Sequence, residues 1–142
     1  MPTTPRPFHI LAINNEPAVL DLFRDLLEDE GYRVTTRVYA DKDMTAITDI
    51  GADLIILDYM WPDEDAGWSL LQMLRMDPRT AAIPIVLCTG AKRKVEELDG
   101  HLREMGVRVV LKPFVLEALL VAVADGLAEA NGPASGSNGR QG

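Results

Sequence analysis

Apolar positions recur along this chain in two alternating rhythms. Leu54 to Leu57 is a short unbroken apolar run with β-branched members, and Phe8 to Ile13, Ile83 to Cys88 and Val107 to Leu111 are largely apolar runs of similar length. Such runs predict strands buried on both faces, the pattern of a parallel sheet covered by helices. Tyr32 to Tyr39 predicts another strand, second in chain order. Between the runs the spacing changes to that of helices. Val19, Leu22, Phe23, Leu26 and Leu27 recur with Asp21, Arg24, Asp25 and Glu28 opposite, and Gly31 closes that helix. A weaker helix is expected over Lys42–Ile50, closed by Gly51, and another over Trp68–Met76, stopped by Asp77-Pro78. Val95, Leu98, Leu102 and Met105 form a thin stripe on a charged helix interrupted by Gly100. Leu116, Leu119, Leu120, Val123 and Leu127 mark a last helix over Val115–Glu129.

Strands alternating with helices predict an α/β fold, a doubly wound parallel sheet with right-handed crossovers. One domain is expected over residues 8–129. It is flanked by a proline-rich arm, 1–7, and a Gly/Ser-rich flexible tail, 130–142. A length of 142 residues supports a sizeable core. The net charge of −8 argues against general affinity for nucleic acid or anionic membrane, since both need a cationic surface. No apolar run approaches a membrane span, and Cys88 is the only cysteine, so a cytoplasmic location is expected.

The chemistry lies where the strands end. Open α/β sheets place ligands outside the carboxyl ends of their strands. Four of the five predicted ends carry polar residues: Asn14-Asn15, Asp58, Thr89 and Lys112. A carboxylate, a hydroxyl, an ammonium and two amides would converge on one crevice. Singly, Asp58 and Thr89 read as helix caps and Lys112 as a solvated surface residue; together they read as a site.

In this order and spacing the chain resembles the receiver domain of two-component response regulators. The likeness covers about residues 8–129. It rests on Ile10-Leu11-Ala12-Ile13 before a paired polar site, on Asp53-Leu54-Ile55-Ile56-Leu57-Asp58 followed by Met60 and Pro62, and on Leu74-Arg75-Met76-Asp77-Pro78-Arg79-Thr80. Ile83-Pro84-Ile85-Val86-Leu87-Cys88-Thr89-Gly90 and Lys112-Pro113-Phe114 complete it. The resemblance implies a flavodoxin-like (βα)5 sandwich with strand order 2-1-3-4-5. It also implies a signalling protein, not an enzyme, in which Asp58 is the phosphoacceptor for a histidine kinase or phosphotransfer protein. Thr89 and Lys112 would bind the phosphoryl group, and the Lys112-Pro113 bond would be cis. A downstream partner would meet the fourth helix, fifth strand and fifth helix, where Arg93, Lys94, Glu96, Glu97 and Arg103 line the polar side of the fourth helix. A homodimer is also compatible with the resemblance. No basic recognition helix is present, so direct DNA binding is not expected.

Three departures bear on mechanism. Most receivers carry two acids that hold Mg²⁺; here Asn14 and Asn15 stand there, leaving Asn14, Asn15, Asp58 and Met60 as a degenerate metal set. Mg²⁺ prefers carboxylate oxygens, and an amide brings no charge, so weak or absent Mg²⁺ binding is expected. Rescue would have to come from Glu16, expected to face solvent, or from Asp63, Glu64 or Asp65. Relatives commonly carry an aromatic switch residue where this chain has Val109, which is small and stiff at χ1. The loop Asp63-Glu64-Asp65-Ala66-Gly67 is also one residue longer than usual. Two readings follow: a working phosphoacceptor, or a pseudo-receiver that binds partners without phosphate. A small enzyme or flavin carrier on the same fold lacks support, since there is neither a P-loop nor a Gly-x-Gly-x-x-Gly.

Overall fold

The computed structural model describes residues 7–14, 16–38, 44–58, 64–90, 92–112 and 115–131. Five strands alternate with five helices: β1 His9–Asn14, α1 Pro17–Asp29, β2 Arg33–Val38, α2 Met44–Ile50, β3 Leu54–Asp58, α3 Glu64–Met76, β4 Ile85–Thr89, α4 Lys92–Glu104, β5 Val107–Leu111 and α5 Leu116–Asn131. The strands are parallel and ordered β2-β1-β3-β4-β5, the flavodoxin-like arrangement expected.

Every residue of β1, β3 and β4 is buried, which explains their largely apolar sequences. The pleat divides each run by parity, because successive side chains leave a strand on opposite faces. Leu11, Ile13, Ile55, Leu57, Ile85 and Leu87 pack with Leu70, Leu71 and Leu74 of α3 and with Val95 and Leu102 of α4. Ile10, Ala12, Leu54, Ile56, Val86 and Cys88 pack instead with Leu20, Phe23 and Leu27 of α1 and with Leu119, Val123 and Leu127 of α5. Each fully buried aliphatic side chain contributes about 2 kcal/mol of transfer free energy. The sheet is therefore gripped from both sides. At Gly126 α5 comes so close to β3 that a Cβ would lie 2.9 Å from Leu54 Cδ1.

Several boundaries differ from the sequence expectation for local reasons. β4 begins at Ile85, because the Ile83 N–H closes a turn onto the Thr80 carbonyl at 3.0 Å and Pro84 has no N–H to give. α3 begins at Glu64 instead of Trp68; acidic residues suit a helix start. α4 runs through Gly100 without interruption. A mid-helix glycine costs about 1 kcal/mol, less than burial of Val95 and Leu102 returns. α1 ends as expected, with Gly31 at φ +93°.

A second polar centre holds the opposite edge of the sheet. The guanidinium of Arg75 donates to the carbonyls of Met105 at 2.5 Å, Thr80 at 3.2 Å, Ala81 at 3.1 Å and Gly106 at 3.4 Å. The fully buried Thr80 donates its hydroxyl to the Leu74 carbonyl at 2.5 Å. The two turns that lead into β4 and β5 are thereby pinned to the end of α3.

Candidate functional site

Register brings the predicted residues together. Asn14 at the end of β1 lies opposite Asp58 at the end of β3, and Asp58 lies opposite Cys88 of β4. By parity Asn14, Asp58 and Cys88 share the α1/α5 face. Thr89 is one residue on, with the parity of Leu87 and Val109 on the α3/α4 face. Lys112 follows directly after β5, and its backbone N–H donates to the Thr89 carbonyl at 2.9 Å. That bond ties the hydroxyl-bearing and ammonium-bearing strand ends together. Val109 is half-buried in the α3/α4 core.

Asp58 is 3% exposed, and its carboxylate forms an ion pair with the Lys112 ammonium. Burial pushes the Asp58 carboxyl above its ordinary range, while Lys112 and the Asn14 amide pull it down and Glu16 pushes it up. Desolvation wins. Lys112 is thus a half-buried partner of Asp58, not a fully solvated surface residue. Cys88 beside it is fully buried, and desolvation raises its thiol far above the usual range. It is a packing residue without nucleophilic character.

Asn14 is 0% exposed. Its Oδ1 accepts the backbone N–H of Glu16 at 2.6 Å, which fixes the amide at the start of α1. Its Nδ2 is buried with no partner in full hydrogen-bond geometry, yet the amide acts on the Asp58 carboxylate and lowers its pKa. Glu16 itself is exposed, as expected.

Among the described residues no three His, Cys, Asp or Glu side chains come together as a metal cluster. The donor set is also wrong for Mg²⁺. The Asn14 amide brings no charge, one lone pair of its carbonyl oxygen accepts the Glu16 N–H, and the atom without a partner is a donor, which repels a cation. The described residues therefore do not fit the metal. Asn15, Met60, Asp63, Pro113 and with it the cis bond lie outside the described residues, as do the side chains of Glu64 and Asp65.

A shallow cavity of about 550 Å³ lies between α4, β5 and α5. Val109, Leu111 and Val121 line it beside Asp99, Arg103 and Asp125. Asp58 does not. Arg93, Lys94, Glu96, Glu97 and Arg103 are all exposed. Lys94 also sits 5.0 Å from the centre of the Trp68 ring, joining α4 to α3. Sequence reasoning did not assign the Arg75 and Thr80 anchors a role, nor the Glu16 backbone as the group that orients Asn14.

Residues 10–124 match the model of the response regulator receiver domain. This chain belongs to that family. Receiver domains are signalling modules and not conventional enzymes, and they typically bind Mg²⁺ for phosphorylation. The chain is 36% identical over 115 residues to the DNA-binding dual master transcriptional regulator RpaA of Synechocystis, matching 80% of this chain and 46% of that protein. It is 32% identical over 114 residues to the phosphate regulon transcriptional regulatory protein PhoB of Rhizobium meliloti, matching 80% of this chain and 49% of that one. The chain thus spans about half the length of the curated relatives it matches. A sensor protein from Polaromonas superposes with a TM-score of 0.72 at 26% identity, covering 89% of this receiver and 99% of that chain. The chemotaxis response regulator CheY4 of Vibrio cholerae, at 22% identity and a TM-score of 0.69 over 85% of this receiver and 99% of that chain, shares the fold. Among the described residues no helix is long and apolar enough to cross a membrane.

Proposed function

We propose that this receiver is a cytoplasmic signal-transduction domain of a two-component phosphorelay, occupying residues 8–129 and acting through protein contacts with Asp58 as phosphoacceptor. The observation that carries this reading is the ion pair of the buried Asp58 with the half-buried Lys112, whose backbone N–H is bonded to the Thr89 carbonyl. An Asp58 carboxylate oxygen attacks the phosphorus of a phosphohistidine on a kinase or phosphotransfer protein. The P–O bond forms as the P–N bond breaks, and the imidazole leaves with the electron pair. The Lys112 ammonium, held by Asp58 beforehand, pairs with the phosphoryl oxygens, and the Thr89 hydroxyl donates to them. The degenerate set Asn14, Asn15, Asp58 and Met60 makes Mg²⁺ binding weak and transfer slow. Output runs through α4, β5 and α5, by docking of a partner protein or of a second copy, without DNA contact by this domain.

A second reading, a pseudo-receiver that binds partners without phosphate, is favoured by the Asn14 amide and by Val109 in the switch position. Labelling with a small phosphodonor or the beryllium fluoride mimic, followed by NMR with Asp58→Ala as control, separates the two. The first reading expects shifts at Thr89 and Lys112 that require high Mg²⁺ and vanish in Asp58→Ala. No response from the native protein at saturating Mg²⁺, with a response from Asn14→Asp combined with Asn15→Asp, would establish the second.

A further inference from the structure

We propose that Asn14 does the work of a cation at this site: its Nδ2, together with Lys112, holds the buried Asp58 carboxylate, so the receiver is balanced with no divalent metal bound. The inference rests on Asp58 being the centre of the site, but none of its tests uses phosphoryl transfer. Neighbouring strands lie about 4.8 Å apart, and register sets residue 14 beside residue 58. Both positions are almost wholly removed from water. Two carboxylates there would repel across a desolvated gap unless a cation lay between them. Asparagine removes one of the charges and substitutes a donor for it.

The orientation of that donor is built into the fold. The Glu16 N–H, at the start of α1, holds Oδ1 at 2.6 Å and turns Nδ2 away from it. Nδ2 is buried without a hydrogen-bond partner in full geometry, and a buried N–H left unpaired is costly. The remaining use for it is the adjacent carboxylate, consistent with the downward pull of Asn14 on the Asp58 carboxyl. Asn14 is therefore a positioning residue for Asp58, and the resting site is balanced by an amide donor instead of a metal ion.

Thermal unfolding with about 10 mM Mg²⁺ or with EDTA, at matched ionic strength, reads the exchange directly. The native protein is expected to shift by less than about 1 °C between the two conditions. Asn14→Asp is expected to melt about 5 °C or more below the native protein in EDTA and to recover at least half of that loss in Mg²⁺. Adding Asp58→Asn should abolish both the loss and the recovery. A native protein stabilised by Mg²⁺ by several degrees, or an Asn14→Asp variant equal to it in EDTA, would overturn the proposal. If Asn14→Asp fails to fold, the combination with Asp58→Asn decides: folding restored supports charge repulsion, and continued failure refutes it. Independently, the Asn14 side-chain amide protons should move in NMR spectra of Asp58→Asn; unmoved signals would show that Nδ2 does not serve Asp58.

Discussion

Each edge of the sheet sequesters a cation, and the two are treated differently. At the edge where β4 and β5 begin, Arg75 meets four backbone carbonyls and, among the described residues, no carboxylate. Burial pulls its pKa down from the ordinary value, but a guanidinium stays charged regardless. At the edge where the strands end, Lys112 meets Asp58, an acid that burial makes reluctant to ionise. One centre is saturated with fixed dipoles and has a single state. The other balances a titratable charge against desolvation and leaves a neighbouring donor short of full geometry. An acid pushed up by burial beside a half-buried cation is the kind of perturbed group that clusters at functional sites, which accords with the proposed role of Asp58.

Removing Lys112 tests that difference most severely. Lys112→Ala strands a desolvated carboxylate, which should cost about 3 kcal/mol at neutral pH. The loss should depend on pH. Because the folded Asp58 carboxyl lies above its unfolded value, and higher still without the ammonium, the native state binds more protons than the unfolded state between the two. Stability of the variant therefore falls as pH rises through that window. The deficit should shrink on acidification and be gone below the ordinary aspartate value of 3.8. Denaturant melts across pH, with Lys112→Ala plus Asp58→Asn as a pH-insensitive control, measure this. An equal deficit at every pH would mean that packing of the lysine stem, not charge, is what was lost.

Arg75→Ala should cost less, about 2 kcal/mol, because water can reach part of the carbonyl set. Its loss should be flat from about pH 4 to 9, since no partner titrates there. Amide exchange should quicken at Met105, Gly106 and the turn before β4 while the signals around Asp58 stay in place. A shift at Asp58 would join the two edges into one network and remove the distinction.

How far these centres could be read from sequence depends on what kind of contact builds them. The strands and helices follow from apolar spacing, because burial on two faces leaves its imprint on each residue in turn. Asp58, Thr89 and Lys112 were visible because a parallel sheet brings every strand end to one edge. Arg75 was not, although it lies in a run that helped identify the family. Its partners are backbone carbonyls, and a carbonyl has no letter in a sequence. The same holds for Asn14. Its loss of charge relative to an acid was legible, but its amide is aimed by the Glu16 N–H, a contact of the main chain. Sequence thus presented Asn14 as a missing ligand, whereas the fold presents a donor.

The smallest expected effect sharpens the comparison from outside both centres. Asp77 and Arg79 make an exposed pair between α3 and β4, with Arg79 Nη2 2.8 Å from Asp77 Oδ2. Asp77 Oδ1 also accepts the backbone N–H of Arg79 at 2.8 Å. The Arg79 side chain, then this N–H, hold the Asp77 carboxyl below its ordinary value, the reverse of Asp58. A depressed acid contributes stability above its unfolded pKa and loses it as pH falls through the folded one. Arg79→Ala removes the guanidinium but not the N–H, so the Asp77 carboxyl should titrate closer to 3.8 without reaching it. Carboxyl-carbon NMR reads that shift directly, and the accompanying change in stability should be the least of the three and should fade in high salt. A variant whose Asp77 returned fully to the ordinary value would show that the turn itself opens without the ion pair. The saturated edge would then depend on surface charge and not on Arg75 and its carbonyls alone.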